Sequence, residues 1–483
     1  MPPIRIIIFT VRCRLCHPLP VNADLVAQTS PDRSAVPGRK AVNAWALFSW
    51  ADHAYFTTMS AALLGPWLLA LATNSVGDRG VLFGIGPVVL RADAFPSFMI
   101  ALAALAQLFL LPPIGALVDG SGTRLSWLGG SCIAGSACCA LFATTGYHAW
   151  AYAGVLFLVL TFIAGVADFV INSLLSVVAP KADQVRVSAW GSAAGYLGGG
   201  LLLAVNLVMV QSHASLGVGQ GTMVRWCFLS AGIWWAVFGM LSTSRLRRTG
   251  LVAVRPTAPE RISRRLRGAF GELRSALRVL NGMPQTRRYL IAFLLFSDAV
   301  SAVIALASTY ITHELFDSNT TNASPFLFKL ILMIQFVAIC GALAIGRTAV
   351  RFGAKRVLLG VLVLWCGVLI YGYGYMNSQT DALVLGVAVA IGLGGVSSLA
   401  RPLFTGMIPD GLEGTFFSLY EICNQGTSWL APLIFTIVVD VTGSFRQALL
   451  SLIILFVAGL AVLSRTDIDA AEREAATIGA RGE

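Results

Sequence analysis

Residues 45–71 read WALFSWADHAYFTTMSAALLGPWLLAL, an apolar run broken by one acidic side chain, Asp52, with His53 beside it. About 20 apolar residues are enough for a helix to cross the hydrocarbon core of a bilayer. A charge on the lipid-facing side of such a helix costs roughly 3 kcal/mol or more. The stretch therefore predicts a membrane-spanning helix on which Asp52 faces a protein interior or a water-filled path.

The composition of the whole chain is that of a membrane protein with many spans. Of its 483 residues, 57% are hydrophobic and 12% are charged, and the mean hydropathy is +0.77. Soluble domains have about 25% charged residues, so a soluble protein is excluded. The net charge of +11 would favour a nucleic-acid partner in a soluble protein. Here the basic residues lie between apolar segments, as topology determinants do, so we predict a lipid bilayer and no nucleic acid as partner.

The apolar runs predict an all-α polytopic membrane protein with twelve transmembrane helices. These helices are expected to cover residues 44–71, 94–114, 125–146, 149–178, 188–211, 223–243, 287–312, 325–346, 356–376, 381–404, 416–439 and 445–464. Arginine and lysine are concentrated in the loops that follow even-numbered helices. Because basic loops stay in the cytoplasm, both termini are predicted to be cytoplasmic.

A long basic stretch after the sixth helix divides the chain into two six-helix halves. The predicted organisation is a disordered cytoplasmic N-terminal tail (1–43), an N-terminal bundle (44–243), a basic cytoplasmic loop (244–286), a C-terminal bundle (287–465) and a cytoplasmic C-terminal tail (466–483). In the basic loop, apolar residues recur three to four apart among the arginines from Arg261 to Arg274. This pattern favours an amphipathic helix on an anionic membrane surface over a nucleic-acid or regulatory site.

The N-terminal tail contains Cys13, Cys16 and His17, which have the spacing of a c-type haem attachment site. Haem attachment would require the oxidising side of the membrane, and the predicted topology puts the tail on the other side. We therefore predict an unstructured tail, or an over-long start of the reading frame, and no cofactor. Seven further cysteines lie in or at the ends of apolar segments, where we interpret them as packing residues.

The two halves share matching stretches, which indicates an internal repeat. Residues 47–52 (LFSWAD) in the first helix resemble residues 295–298 (LFSD) in the seventh. In the loops after the second and eighth helices, Gly115 and Gly346 are each followed seven residues later by another glycine and nine later by a cation. Duplicated halves with a binding site at their interface are typical of secondary transporters.

The loop after the second helix resembles the signature of the major facilitator superfamily, Gly-x-Leu-x-Asp-Arg-x-Gly-Arg-Arg. The matching residues are Gly115, Leu117, Asp119, Gly122 and Arg124. The second copy of the signature keeps Gly346, Arg351, Gly353 and Lys355. Gly120 and Thr123 replace two cations of the first copy, and Val350 stands where the second copy would have its acid.

Other stretches are similar to one branch of this superfamily, the family of the autophagy-related vacuolar amino-acid effluxer and its bacterial homologues. They are residues 50–58 (WADHAYFTT), 187–188 (VS) with 195–199 (GYLGG), 296–298 (FSD), 416–421 (FFSLYE) and 426–432 (GTSWLAP). The resemblance covers about 44–465 and implies a twelve-helix transporter that exports a small solute such as an amino acid. We also expect the protein to be a monomer. A short central loop and a tail without eukaryotic sorting features favour a bacterial plasma membrane over a vacuolar one.

Acidic residues inside apolar helices are the main candidates for chemistry. They are Asp52, Asp168, Asp298 and Glu421, and placing all four against lipid would cost roughly 10 kcal/mol or more, so we expect them to face inward. Asp52 and Asp298 occupy repeat-related helices, which line the cavity in the superfamily. One or both would bind a substrate ammonium or exchange a proton, with Tyr55 nearby. The alternative is a packing hydrogen bond to a neighbouring serine or tyrosine.

Two further pairings are predicted from helical spacing. Asp168 and Asn172 are four residues apart and share a face, where they would pair with Arg401 or form a buried structural pair. Glu421, with Asn424 and Gln425 on the same face, is expected to contact Arg401 or the loop after the second helix as a gate.

The residues of the repeated loops are predicted to switch conformation. The anion Asp119 is expected to lie at a helix N-terminus, where the helix dipole attracts it. The resemblance implies that this contact steadies one of two alternating states. Arg124, Arg351 and Lys355 are the cations of the same two loops. The alternative for Asp119 is a solvated loop acid.

The sequence thus predicts a secondary active transporter in which two halves rock about a central site. It contains no nucleotide-binding loop after a strand, no metal-ligand cluster and no nucleophile triad. An enzyme is therefore disfavoured, neither a metal nor a cofactor is expected, and ATP-driven transport would need a partner chain. The alternative is a receptor or scaffold that retains a transporter fold without transporting.

Overall fold

The computed structural model describes residues 38–482, except for 78–79, 86–87, 93, 122, 147, 252–273, 275–276, 317–319 and 426–429. Its helices are α1 (Arg39–Val76), α2 (Phe95–Ser121), α3 (Arg124–Phe142), α4 (Trp150–Val178), α5 (Lys181–Gln211), α6 (Gln220–Arg248), α7 (Pro284–Phe316), α8 (Thr320–Phe352), α9 (Ala354–Tyr375), α10 (Gln379–Thr405), α11a (Glu413–Gln425), α11b (Leu430–Thr442), α12 (Phe445–Ser464) and α13 (Ile468–Gly482). The chain is therefore all-α in its membrane part, as the apolar runs predict.

Eleven helices of the described residues are long and apolar enough to cross a membrane. The predicted run 416–439 is divided between α11a and α11b, on either side of residues 426–429. Most helices extend beyond their apolar runs, because polar residues at their ends continue the backbone hydrogen bonding. We call α1–α6 the first bundle and α7–α12 the second bundle.

Two elements were not predicted. Strands β1 (Val81–Ile85) and β2 (Val88–Arg91) form an antiparallel hairpin between α1 and α2. The C-terminal tail contains the helix α13. The haem-like cysteine motif and residues 252–273 of the basic loop lie outside the described residues.

Helix α1 is not uniform along its length. Residues Phe56–Leu63 are π-helical, and the N–H of Leu64 donates to the carbonyl of Met59. Pro66, which has no N–H, follows this segment after Leu64 and Gly65 and favours a local change in bonding. Wide turns of this kind occur frequently at functional sites.

Glycines allow α5 to approach α1 closely in the first bundle. A Cβ atom added at Gly191 would lie 2.3 Å from the Trp45 ring, and one at Gly198 would lie 2.3 Å from the carbonyl oxygen of Trp50. The same device joins α3 to α6, where Gly135 lies against the buried ring of Trp235. Small residues are the usual means of close helix packing in membranes.

We expect Gly135→Ala to destabilise the first bundle by about 1–3 kcal/mol, because a Cβ atom there would lie 2.1 Å from the Trp235 ring. The measurement is the melting temperature of the purified protein in nanodiscs. Gly130→Ala on the same helix is the matched control, since nothing lies within 4 Å of its added Cβ atom. Equal melting temperatures for the two variants would contradict the packing of α3 on α6.

Among the described residues, the most extensive contacts between the two bundles are made by four helix pairs. Helix α5 packs against α8 and α10, and α11a packs against α2 and α4. The end of the molecule that carries Arg124, Lys181 and Lys355 is called the basic end, and the opposite end, with the strands, the hairpin end. The basic end is the one predicted to be cytoplasmic, and that orientation stays a prediction.

Candidate functional site

Three acidic side chains and one arginine from four helices meet between the two bundles. The carboxyl groups of Asp52 in α1 and Asp168 in α4 interact with each other. Both interact electrostatically with Arg401 of α10 and Glu421 of α11a. Asp52 is 9% exposed and Glu421 is 2% exposed. We call these four residues the interface cluster.

Arg401 is held by the first bundle although it belongs to the second. Its guanidinium carbon lies 5.3 Å from the centre of the Trp45 ring in α1, a cation–π distance. The indole N–H of Trp45 donates to the carbonyl of Ile171 in α4 at 2.9 Å, which fixes the ring. On the other side, the Tyr289 hydroxyl donates to the carbonyl of Ala400 at 2.6 Å. The guanidinium of Arg401 therefore lies over an aromatic ring whose orientation is fixed.

The charges of the interface cluster do not balance. Three ionised carboxylates and one guanidinium would leave an excess of two negative charges in the protein interior. Buried charges interact strongly because the surrounding dielectric is low, and an uncompensated one is costly. The arrangement is therefore suited to taking up a cation, either a proton or an ammonium group.

Glu421 and its neighbour Asn424 connect the cluster to α7. The Asn424 amide nitrogen donates to Glu421 Oε1 at 3.4 Å, and its amide oxygen accepts from the Ser297 hydroxyl at 2.7 Å. Asn172, predicted to share a face with Asp168, is 6% exposed one turn further along α4. The side chain of Gln425 lies outside the described part of the chain.

Asp298 and Tyr55 have contacts of a different kind. Asp298 is fully buried, and its Oδ2 accepts a hydrogen bond of 2.9 Å from the backbone N–H of Ala431, at the start of α11b. A carboxylate in this position stabilises a helix N-terminus. Tyr55 stacks on Trp235 inside the first bundle, with ring centres 4.6 Å apart. These contacts favour the packing alternative for both residues over direct participation in the cluster.

At the basic end, Asp119 joins the two bundles. Its Oδ1 accepts from the backbone N–H of Gly414 at 2.7 Å. Its Oδ2 accepts from the backbone N–H and the hydroxyl of Thr415 at 2.6 and 3.0 Å. These donors form the N-terminus of α11a. The carboxylate of Asp119 therefore lies at a helix N-terminus, the position expected from the sequence.

Arg124 completes this contact. Its Nη2 lies 2.8 Å from Asp119 Oδ1 and 2.8 Å from Glu413 Oε2. We call Asp119, Arg124, Glu413, Gly414 and Thr415 the basic-end gate. Glu413 was not predicted from the sequence, although an acid in the first turn of a helix is a recognisable signal.

The repeat-related loop of the second bundle makes a different contact. Gly346 and Gly115 occupy equivalent close approaches: added Cβ atoms would lie 2.4 Å from Ala189 and 2.7 Å from Ser418, respectively. However, Val350, which replaces the acid, is 49% exposed. Lys355 donates to the carbonyls of Ser464 and Thr466 within the C-terminal part of the chain.

Arg351 is exposed and lies over the ring of its neighbour Phe352. Together with Val350 and Lys355, it shows that the two copies of the loop motif are not equivalent. The charged gate between the bundles is formed by the first copy. The second copy contributes packing, through Gly346 against Ala189.

Two more hydrogen bonds cross between the bundles and were not predicted. The hydroxyls of Tyr196 in α5 and Ser397 in α10 lie 3.2 Å apart, and the Tyr196 ring meets His53 edge-on. The amide of Gln335 in α8 donates to Thr57 in the π-helical segment at 3.0 Å. Within the first bundle, the amide nitrogen of Asn206 lies 3.4 Å from the Thr58 hydroxyl. The wide turn of α1 is therefore tied to both bundles.

Among the described residues, no three His, Cys, Asp or Glu side chains are arranged to hold a metal ion. The interface cluster, with its carboxyl groups and guanidinium, and the basic-end gate are both charged sites between the bundles.

Comparison with known proteins gives three kinds of similarity. The family model described as "Vacuole effluxer Atg22 like" matches residues 37–476. An uncharacterized MFS-type transporter of Bacillus subtilis, YxiO, is 23% identical over 427 residues, which are 88% of this chain and 94% of that protein. Autophagy-related protein 22-1 of Aspergillus fumigatus is 28% identical over 322 residues, or 62% of this chain and 50% of the fungal protein.

Solved structures show the same fold at low sequence identity. The proton:xylose symporter XylE superposes with a TM-score of 0.63 and 13% identity, covering 88% of this chain and 94% of XylE. FucP, a major facilitator superfamily transporter solved in the outward conformation, gives a TM-score of 0.59 and 14% identity, covering 89% and 98% of the two chains.

Proposed function

Because this chain belongs to the family of Atg22-like vacuole effluxers, within the major facilitator superfamily, we propose that it is a secondary active transporter of a small solute that works by alternating access. Membership makes the chain an integral, multi-pass membrane transporter and not an enzyme. The plasma membrane of a bacterium is the proposed location, supported by the larger share of the chain that the bacterial relative matches.

The interface cluster is the observation that carries the proposed mechanism. Asp52 and Asp168 belong to the first bundle, whereas Arg401 and Glu421 belong to the second. Opening of the basic end would separate these pairs. A proton on Asp52 or Asp168 would weaken their attraction for Arg401 and so favour that opening. Cation binding and the movement of the bundles are then coupled through one set of charges.

Amino-acid efflux in exchange for protons is the proposed reaction. The family description, which names an effluxer, suggests the direction of transport. The cluster offers carboxyl groups to an ammonium and a guanidinium to a carboxylate, which suits a zwitterion. Protons entering from the hairpin end would occupy Asp52 and Asp168, and solute bound from the basic end would replace them. The protein would act as a monomer with a small-molecule substrate.

The test is flux of labelled amino acids in proteoliposomes, with and without a pH gradient. Asp52→Asn and Asp168→Asn are expected to reduce gradient-driven flux at least about tenfold, since neither amide can carry the proton. Asp183→Asn is the matched control, because its side chain is 47% exposed at the surface. Gradient-driven flux retained in both folded variants would contradict the role of the cluster. Absence of flux for every solute of a broad panel would contradict transport itself.

Asp298→Asn separates the two repeat-related aspartates. The amide oxygen of asparagine can still accept from the N–H of Ala431, so we expect the variant to keep its response to the pH gradient. The same flux assay measures this response. If Asp298→Asn behaved like Asp52→Asn, the proton-binding role would extend to Asp298.

A further inference from the structure

Helix α13 has one face packed against the rest of the protein. Ala471 is fully buried and Ala475 is 4% exposed, with Ile468 and Ile478 partly buried beside them. These four residues recur three to four apart, so they form a single stripe along the helix. The polar residues of α13 lie on its other sides. The helix is therefore a docked element of the structure.

Several contacts fix α13 to the second bundle. Helix α13 packs against α7, and the backbone N–H of Asp467 donates to Gln285 Oε1 at 3.0 Å. The ammonium of Lys355 holds the carbonyls of Ser464 and Thr466, just before the helix, at 2.9 and 2.7 Å. Glu472 lies beneath the end of α10, since a Cβ atom added at Gly406 would be 2.7 Å from its Oε1.

Glu472 also reaches the first bundle. Its Oε2 lies 3.8 Å from the ammonium of Lys181, the first residue of α5. An exposed ion pair of this kind contributes little by itself, typically below about 1 kcal/mol. Here, however, the carboxylate belongs to a helix that is already packed in a fixed position on the second bundle. The pair therefore bridges the bundles at no further cost in ordering that helix.

The position of this bridge complements the asymmetry of the gate. At the start of α11a, Asp119 of the first bundle supplies a negative charge. In the second bundle the repeat-related position, four residues after the Gly346 that approaches Ala189 of α5, holds Val350, which supplies none. Glu472 brings a carboxylate to the start of α5 from a different part of the chain.

We propose that α13 is a strap that joins the two bundles at the basic end and stabilises the state in which this end is closed. It rests on the second bundle through its apolar stripe and on the first bundle through Glu472. Detachment of either contact would release the bundles from one another on the α5 side. The proposal concerns the closed state alone and does not depend on which solute is carried.

The experiment measures the distance between the bundles directly, in the full chain reconstituted in nanodiscs. Spin labels are placed at Arg247→Cys in α6 and Arg356→Cys in α9, both exposed at the basic end, in a background lacking the other cysteines. Ala475→Glu puts a charge into the buried stripe and is expected to raise the population of the longer distance several-fold. Ala476→Glu, one residue further on the exposed side, is the matched control and should leave the distances unchanged.

Charge exchange tests the bridge itself. Glu472→Lys is expected to shift the distances as Ala475→Glu does, and Lys181→Glu in the same chain should restore them. Unchanged distances in Glu472→Lys and in a chain ending at Asp467 would overturn the proposal. If Ala475→Glu fails to fold, Glu472→Gln decides the question, because it removes the charge while keeping the shape. A failure of solute flux alone would leave these distances unaffected, so the two proposals fail separately.

Discussion

Arg401→Met is expected to abolish gradient-driven flux and to lower the melting temperature of the protein. The substitution leaves three carboxyl groups of the interface cluster without their shared cation. Removing one partner from a buried ionic group costs about 3–5 kcal/mol, because the remaining charges lose their compensation. The aromatic contact with Trp45 would be lost as well. Flux in proteoliposomes and thermal unfolding in nanodiscs measure the two effects.

A double variant tests whether the charge excess is the cause. Adding Glu421→Gln to Arg401→Met removes one of the uncompensated carboxyl groups, so we expect it to recover part of the lost melting temperature. The same melting temperature for Arg401→Met with and without Glu421→Gln would point to lost packing in place of lost charge balance.

The second large effect is expected at the basic-end gate. Asp119→Ala removes three hydrogen bonds to the start of α11a and the partner of Arg124. Hydrogen bonds to a charged group contribute about 1.5–3 kcal/mol. We expect the closed state to lose about 2–3 kcal/mol, which is roughly a 30- to 150-fold change in the ratio of closed to open molecules. The spin-label pair at positions 247 and 356 measures this ratio.

Gly414→Ala provides an independent route to the same result. An added Cβ atom would lie 2.6 Å from Asp119 Oδ1, so the carboxylate would be displaced while its charge is kept. The distances should shift towards the longer value, as in Asp119→Ala. Asp183→Asn, an exposed acid of the same end, is expected to change nothing. A closed basic end in both gate variants would show that other contacts hold it.

The family and the helical membrane fold predicted from the sequence are confirmed, since apolar runs of this length have no other stable arrangement in lipid. The inward position of Asp52, Asp168 and Glu421 was also predicted, from the free-energy cost of a charged side chain in contact with lipid. Contacts of Asp168 and Glu421 with Arg401 were among the predicted alternatives, but the position of Asp52 beside them could not be predicted, because it depends on the rotation of each helix within its bundle. Asp298 illustrates this: its position repeats that of Asp52, yet it faces the start of α11b.

Other misses have local causes. The hairpin residues 81–91 are apolar on both strands and lack the alternation by which a strand is usually recognised. Helix α13 has the four residues of its buried stripe at helical spacing, but they lie in a segment that reads as charged. Glu413 and Glu472 act through residues about 289 and 291 positions away in the chain, a separation that no local pattern reports.

The wide turn at residues Phe56–Leu63 rotates the second part of α1 about the helix axis relative to the first part. In an α-helix each residue turns the chain by about 100°, so one additional residue in a turn rotates everything beyond it by that amount. The part before the turn directs Asp52 to the interface cluster, and the part after it directs the indole of Trp67 to the Thr145 hydroxyl at 3.0 Å. Deleting one residue within the turn would force these two orientations into competition.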